Sequence, residues 1–339
     1  QLTSDCCFVW DLVWSADGRE LVYSHGRTLA TSRLQRVRAS RAGSRPLGLG
    51  DRARHISVAP SPSGGLMAYS EWLEDTNIWR LPGPSAPESA EPTSFIASTR
   101  GDHTPVYSPD GRTIAFVSDR SGAWEIWLSA SDGSQSRRLT DQGHAIFPVW
   151  SGSGERLAFM SNLNVHVMDV SGGFSMNLTA GSAVPSSFPS WSADGQWIYF
   201  IRAMDGSPQV VKMPAEGGEV IPLTHGTGRR RRPFETQYGR VLYFRDNRLW
   251  SVPVGGGEET LVLDKPVRFN QWCLWNDHIV YILDEPQPWI ETVDMATGAT
   301  ARILELEKTS VFYRSSITVS PDGRWILFAR LDQAGSDLV

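Results

Sequence analysis

The residues of this 339-residue chain best equipped for chemistry are a run of four guanidinium groups, Arg229-Arg230-Arg231-Arg232, and three histidines, His55, His103 and His144. Asp102 adjoins the second histidine. Four adjacent arginines cannot all be buried without partners, and clustered planar donors suit a phosphate, an acidic peptide or nucleic acid. A solvated loop without a ligand is the plainer account of the same run. Imidazoles beside a carboxylate suit a divalent metal or a pH response. Neither an HxH nor an HExxH spacing fixes such a geometry, so hydrogen bonding to neighbouring loops is the simpler reading, and no metal, cofactor or catalytic residue is assigned.

The net charge of -5, with both signs interspersed, argues against a polybasic nucleic-acid binder and against an acidic disordered tail. Only Lys212, Lys265 and Lys308 are lysines, a bias that genome composition explains as readily as function. Cys6, Cys7 and Cys273 form neither a disulfide framework nor a metal-binding spacing. No run approaches the roughly 18 apolar residues of a membrane span. With 31 glycines, 21 prolines and no long helical periodicity, the composition predicts many short strands joined by turns.

Those strands recur in a fixed grammar. The clearest copy runs from Ser108 to Thr140: a turn at Asp110-Gly111, a strand over 113–117, a second turn at Ser121-Gly122, a strand over 125–128, and a return from Asp132-Gly133 into Arg137–Thr140. Related copies begin at Ser15, Ser61, Ser151, Ser192 and Ser320, and degraded ones at Thr236 and Trp275. Turn positions 17, 63, 110, 153, 194, 238, 277 and 322 are spaced by 46, 47, 43, 41, 44, 39 and 45 residues. A period near 44 matches one four-stranded blade of a β-propeller, whose sheets must cover one another's faces. The sequence therefore predicts an all-β propeller of about eight blades, six or seven being compatible with the degraded copies, in a single domain over 1–339. Gln1-Leu2-Thr3 matches the closing strand of other copies, such as Arg138-Leu139-Thr140, so the N-terminal strand is expected to close the last blade. The two ends together fall short of a full period, which leads to the expectation of a fragment of a longer chain.

The SPDG turn, the IAF-like strand, SDR, the IW-like strand and the closing RLT resemble the TolB-like, WD-like propeller repeat over essentially the whole chain. DTNIWRL (75–81), VVKMPAEGGE (210–219), LWSVPVGGGEE (249–259) and the SPDGRWILFA ending also resemble the C-terminal propellers of bacterial winged-helix regulators and serine/threonine kinases. The resemblance implies a non-catalytic binding or sensing module for a protein, peptide or small ligand, with no direct nucleic-acid binding by this chain. It places the strand before the SPDG turn innermost and the loop before that strand on the opposite face. His55, His103 and His144 lie six, five and seven residues before Ser61, Ser108 and Ser151, so they and Asp102 are expected near the channel mouth, with the four arginines in a loop on the same face. Asp119-Arg120 and the tryptophans Trp14, Trp150 and Trp191 are read as structural, the latter packing between blades. The alternative is the substrate-gating propeller of a prolyl-oligopeptidase-like peptidase; the nucleophile elbow that chemistry requires is absent from this sequence. The periplasm is favoured over the cytoplasm.

Overall fold

The repeat is written into its turns. Ser108 donates its hydroxyl to Asp110 (2.5 Å) and accepts the backbone N–H of Thr113 (3.0 Å), while Gly111 takes a φ of 70° that lets the chain reverse. Ser192 with Asp194 and Ser320 with Asp322 repeat the arrangement. The serine hydroxyl, followed by a backbone N–H, holds each of these three carboxyls below its ordinary value.

The computed structural model describes residues 8–26, 33–40, 45–46, 58–60, 67–86, 91–283, 288–306 and 316–338, and their regular structure is entirely β. The repeats group 1–339 as one domain; the contacts fall into two compact units, Gln1–Asp75 with Leu331–Val339, and Thr76–Arg330. In the smaller unit, β1 (Phe8–Trp14), β2 (Glu20–Gly26), β3 (Arg33–Arg38) and β4 (Arg45–Pro46) form an antiparallel sheet in sequence order around Leu21, Tyr23 and Val37. There β5 (Val58–Pro60) pairs with β6 (Met67–Pro82), a strand that contains the unit boundary.

The larger unit is built from four-stranded antiparallel sheets. After β7 (Thr93–Ile96), which pairs with β6, come β8 (Asp102–Tyr107), β9 (Thr113–Ser118), β10 (Glu125–Ala130) and β11 (Arg137–Arg138). The next sheets are β12 (Ala145–Trp150) to β13 (Arg156–Ser161), β14 (Asn164–Asp169) and β15 (Met176–Asn177), then β16 (Ser186–Trp191), β17 (Trp197–Met204), β18 (Ser207–Pro214) and β19 (Ile221–Pro222). They are followed by β20 (Arg230–Thr236), β21 (Arg240–Arg245), β22 (Arg248–Pro253) and β23 (Thr260–Leu263), and by β24 (Trp272–Trp275), β25 (His278–Leu283), β26 (Trp289–Asp294) and β27 (Thr300–Glu305). The remaining sheet joins β28 (Ile317–Val319) and β29 (Trp325–Leu338) to β6 and β7. Strands from opposite ends of this unit thus complete one blade. Gly83 donates its N–H to the Arg324 carbonyl (2.8 Å), and a Cβ on Gly83 would stand 2.3 Å from the Gly323 carbonyl oxygen, so only glycine permits that approach. The closing segment is therefore 76–96; Gln1-Leu2-Thr3, expected in this role, lies outside the described residues.

Apolar clusters join each sheet to the next and the last to the first. Ile78 and Leu327 pack with Ile114 and Phe116; Ala115 and Ile126 with Leu157 and Phe159; Ala158 and Val165 with Ile198 and Phe200. Tyr199 and Val210 meet Val241 and Tyr243, Leu242 and Leu249 meet Trp272 and Ile279, and Val280 and Ile290 meet Ile317 and Ile326. The larger unit is a closed six-bladed propeller, an all-β multi-blade architecture within the range the repeats predict. Trp150 and Trp191 donate their indole N–H to Val106 and Val149 carbonyls of the preceding sheets (3.1 and 3.2 Å), the inter-blade role expected of them, whereas Trp14 is half exposed. The threonine of the RLT ending braces the blade edge, because Thr140, Thr179 and Thr224 accept the N–H groups of Ile126, Val165 and Val210 and so tie the outermost strand to the third. Replacing Trp191 by Phe removes one inter-blade bond and should cost about 1 kcal/mol. A urea melt should show a lower midpoint with an unchanged slope.

Candidate functional site

The four arginines do not form a projecting loop. Arg230–Thr236 is β20, the innermost strand of its sheet, with Arg230, Pro233 and Thr236 buried around a bulge. Arg229 is exposed at its entrance, its backbone N–H held by Asp246 (3.2 Å). Arg230 is only 1% exposed: its guanidinium meets both oxygens of Glu259 (2.8 and 3.1 Å) and donates to the carbonyls of His225, Gly226 and Thr227. Arg231 lies over the Phe269 ring at 4.5 Å. Arg232 turns inward with one guanidinium nitrogen donating to the Asn270 carbonyl (3.0 Å).

Of the acid and histidines expected at the mouth, Asp102, His103 and His144 are taken up by the blade. Asp102 is fully buried and pairs with Arg120 at 2.7 Å; burial pushes its carboxyl up, against the lowering effect of Ser118 and Arg120. His103 is buried, bonded through Nδ1 to the Thr104 hydroxyl (2.8 Å) and packed on Trp124 with ring centres 4.7 Å apart. His144 bridges Trp124 through its backbone, and His55 lies outside the described residues. Asp119 accepts the Gly101 N–H (2.9 Å), so Asp119-Arg120 secures the entry to β8, the structural role its recurrence predicts. Among the described residues no cluster of three or more His, Cys, Asp or Glu side chains is placed to hold a metal.

What the innermost strands do bring together is an axial cavity. It is lined by Thr104, Phe147, Phe188, Arg232 and Ser316, with the prolines and apolar residues that follow them. Thr104, Phe147, Phe188 and Arg232 have φ of 53°, 57°, 53° and 49°, the left-handed region that costs a non-glycine residue about 1–3 kcal/mol. Each sits at a bulge where the pairing with the second strand shifts register. A bulge re-aims a side chain, here toward the axis, and the following Pro105, Pro148, Pro189 or Pro233 has no N–H to leave unpaired. Phe147 and Phe188 meet with ring centres 4.6 Å apart and planes tilted by 46°, and Phe188 meets Phe269 edge-on at 5.9 Å. Sequence reasoning missed all of these residues but Arg232. Their signal was present: each lies four positions before the turn residue of its copy, Ser108, Ser151, Ser192, Thr236 or Ser320.

No family model matches the chain. Among curated proteins, 114 residues are 36% identical to an uncharacterised protein of Agrobacterium fabrum, covering 29% of this chain and 39% of that one. A stretch of 110 residues is 32% identical to the TolB homologue of Chlorobium luteolum, covering 32% and 25% respectively. The matched stretches thus span well under two thirds of these relatives. A solved TolB structure from Agrobacterium tumefaciens superposes with a TM-score of 0.61 at 18% identity, covering 77% of this chain and 99% of that one. The fold is a TolB-like β-propeller. A chain of the nidogen/laminin complex is similar at a TM-score of 0.56 and 10% identity, covering 76% of this chain and 99% of that one. A puromycin-hydrolysing peptidase of Mycobacterium tuberculosis reaches 0.51 at 15% identity, covering 95% of this chain and 57% of its own.

Within this TolB-like propeller the two inward arginines of β20 differ electrostatically. Arg230 shares Glu259 with Arg245 (2.8 Å) and the Tyr243 hydroxyl; burial raises the Glu259 carboxyl, but these partners outweigh it and leave it below its ordinary value. Burial lowers Arg232 to about 10, so it stays charged at neutral pH. Glu259→Gln strands the buried Arg230 charge and should cost about 3–5 kcal/mol, while Arg229→Ala should stay within about 0.5 kcal/mol of wild type. Because the folded Glu259 carboxyl is depressed, its contribution is full above the ordinary carboxylate range and is lost as pH falls through the lowered value. Melts from pH 7 to pH 3 should therefore show the wild type losing its advantage over Glu259→Gln on acidification.

Proposed function

We propose that the larger unit is a non-catalytic binding module that takes a protein, peptide or small ligand at the axial cavity, and that it serves as the sensing part of a larger regulatory protein. The observation that carries this reading is the convergence of strained, inward-aimed side chains from four successive innermost strands on one cavity. Packing alone would be served by unstrained strands, and backbone strain concentrates where a side chain must be presented. The half-buried Phe147 and Phe188 supply apolar contact area, and Arg232 a fixed charge to orient an occupant. The nidogen/laminin likeness supports a protein or peptide partner. The resemblance of the sequence to propellers of winged-helix regulators and kinases supports the regulatory setting.

The second reading, a propeller that gates substrate for a peptidase domain, is favoured by the likeness to the puromycin-hydrolysing peptidase. Panning a random peptide library on the full chain distinguishes the two. Enriched peptides should bind the wild type and lose roughly tenfold or more affinity to a Phe147→Ala/Phe188→Ala variant, because each truncation removes about 1–3 kcal/mol of contact. They should be recovered intact by mass spectrometry. Equal binding to the variant would overturn the cavity as the site, and cleaved peptides would overturn the non-catalytic reading.

A further inference from the structure

Half-buried Arg232 differs from Arg230 and Arg120, which are also drawn into the larger unit. Arg230 is matched by Glu259 and Arg120 by Asp102. Arg232 donates to the Asn270 carbonyl, lies 5.4 and 5.7 Å from the Phe234 and Trp272 ring centres, and among the described residues has no carboxylate within ion-pairing distance. A guanidinium carries five N–H donors, of which this bond uses one, and Arg232 is among the residues that line the cavity. On the same cavity Ser316, only 3% exposed, has a hydroxyl oxygen with no hydrogen-bond partner among the described residues. An unmatched cation and an unmatched hydroxyl in one apolar cavity are each costly unless an occupant satisfies them.

Building on the binding-module reading, we propose that the axial cavity is a carboxylate site, in which Arg232 and Ser316 hold the carboxylate of the occupant while its apolar or aryl remainder lies against Phe147 and Phe188. Charge selects this chemistry. One guanidinium balances one carboxylate, whereas a doubly charged phosphate would leave excess negative charge among Pro105, Val106, Pro148 and Val149. The planar fork of arginine also matches a carboxylate in two parallel bonds. Such a group belongs either to a free carboxylic acid or to the C-terminus of a protein chain.

The test compares matched probes on the full chain. Benzoate should raise the unfolding temperature in a saturable manner, while benzamide and inorganic phosphate at the same concentrations should not. Arg232→Met should weaken benzoate binding roughly tenfold or more, measured against the melting temperature of the unliganded variant, because the change also removes the bond to the Asn270 carbonyl. A peptide ending in Phe with a free carboxylate, set against its C-terminal amide, separates the two sources. Selective binding of the acid peptide, displaced by benzoate, identifies a chain terminus; a benzoate response without peptide binding identifies a free acid. A benzamide shift equal to that of benzoate, a response retained in Arg232→Met, or no response to either carboxylate would overturn the proposal. The benzoate and benzamide comparison needs no variant and stands if Arg232→Met does not fold. Peptides that bind equally as acid and amide would sink the carboxylate site and leave the binding module intact.

Discussion

Each sheet of the larger unit has two apolar faces and nothing but its neighbours to cover them. A four-stranded sheet exposing Phe116, Phe159 or Phe200 on either side would be an aggregation hazard, so the sheets are stable only as a ring in which every face meets another. The ring must also be sealed where the chain begins and ends within it. That seal falls on β29 against β6, and it depends on Gly83 passing so close to the Gly323 carbonyl that no side chain fits. The turn serines, the indole bonds and the threonine ties act locally; closure is what makes their contributions cooperative.

The same closure creates the site. When innermost strands converge on an axis, their inward side chains meet in one small volume, and the bulges decide which side chains those are. Without the bulge, strand alternation sets which face each residue joins; with it, the residue before each proline takes a left-handed φ and reaches the axis. The strain is repeated at Thr104, Phe147, Phe188 and Arg232, each followed by a proline. An architecture that repeats a costly conformation at one height of the ring concentrates presentation there.

Two arginines two residues apart illustrate how position outweighs identity. Arg230 is a structural ion: Glu259, 29 residues further on, returns on the edge of the same blade to neutralise it. Arg232 faces the axis, where proline, valine and phenylalanine form most of the wall and, among the described residues, no acid lines it. The buried pair fixes the blade, and the axial charge is left for something outside it.

The period, the turn chemistry and the inter-blade tryptophans were legible in the sequence because each rests on contacts a few residues long or on one residue type at a repeated place. Asp110-Gly111 requires its turn wherever it stands, and Trp150 and Trp191 recur one residue before the serine that opens the turn of their copies. The repeats thus determined the propeller class and bounded the blade number. Tertiary structure alone decided that six copies close the ring, that 76–96 supplies the sealing strands, and that Asp102 and His103 are consumed by Arg120, Thr104 and Trp124. A run of four arginines reads as one patch in sequence. Folding divides it, because burial depends on partners such as Glu259 and Asn270 that are distant along the chain, and on a bulge whose effect appears only when the strands meet at an axis.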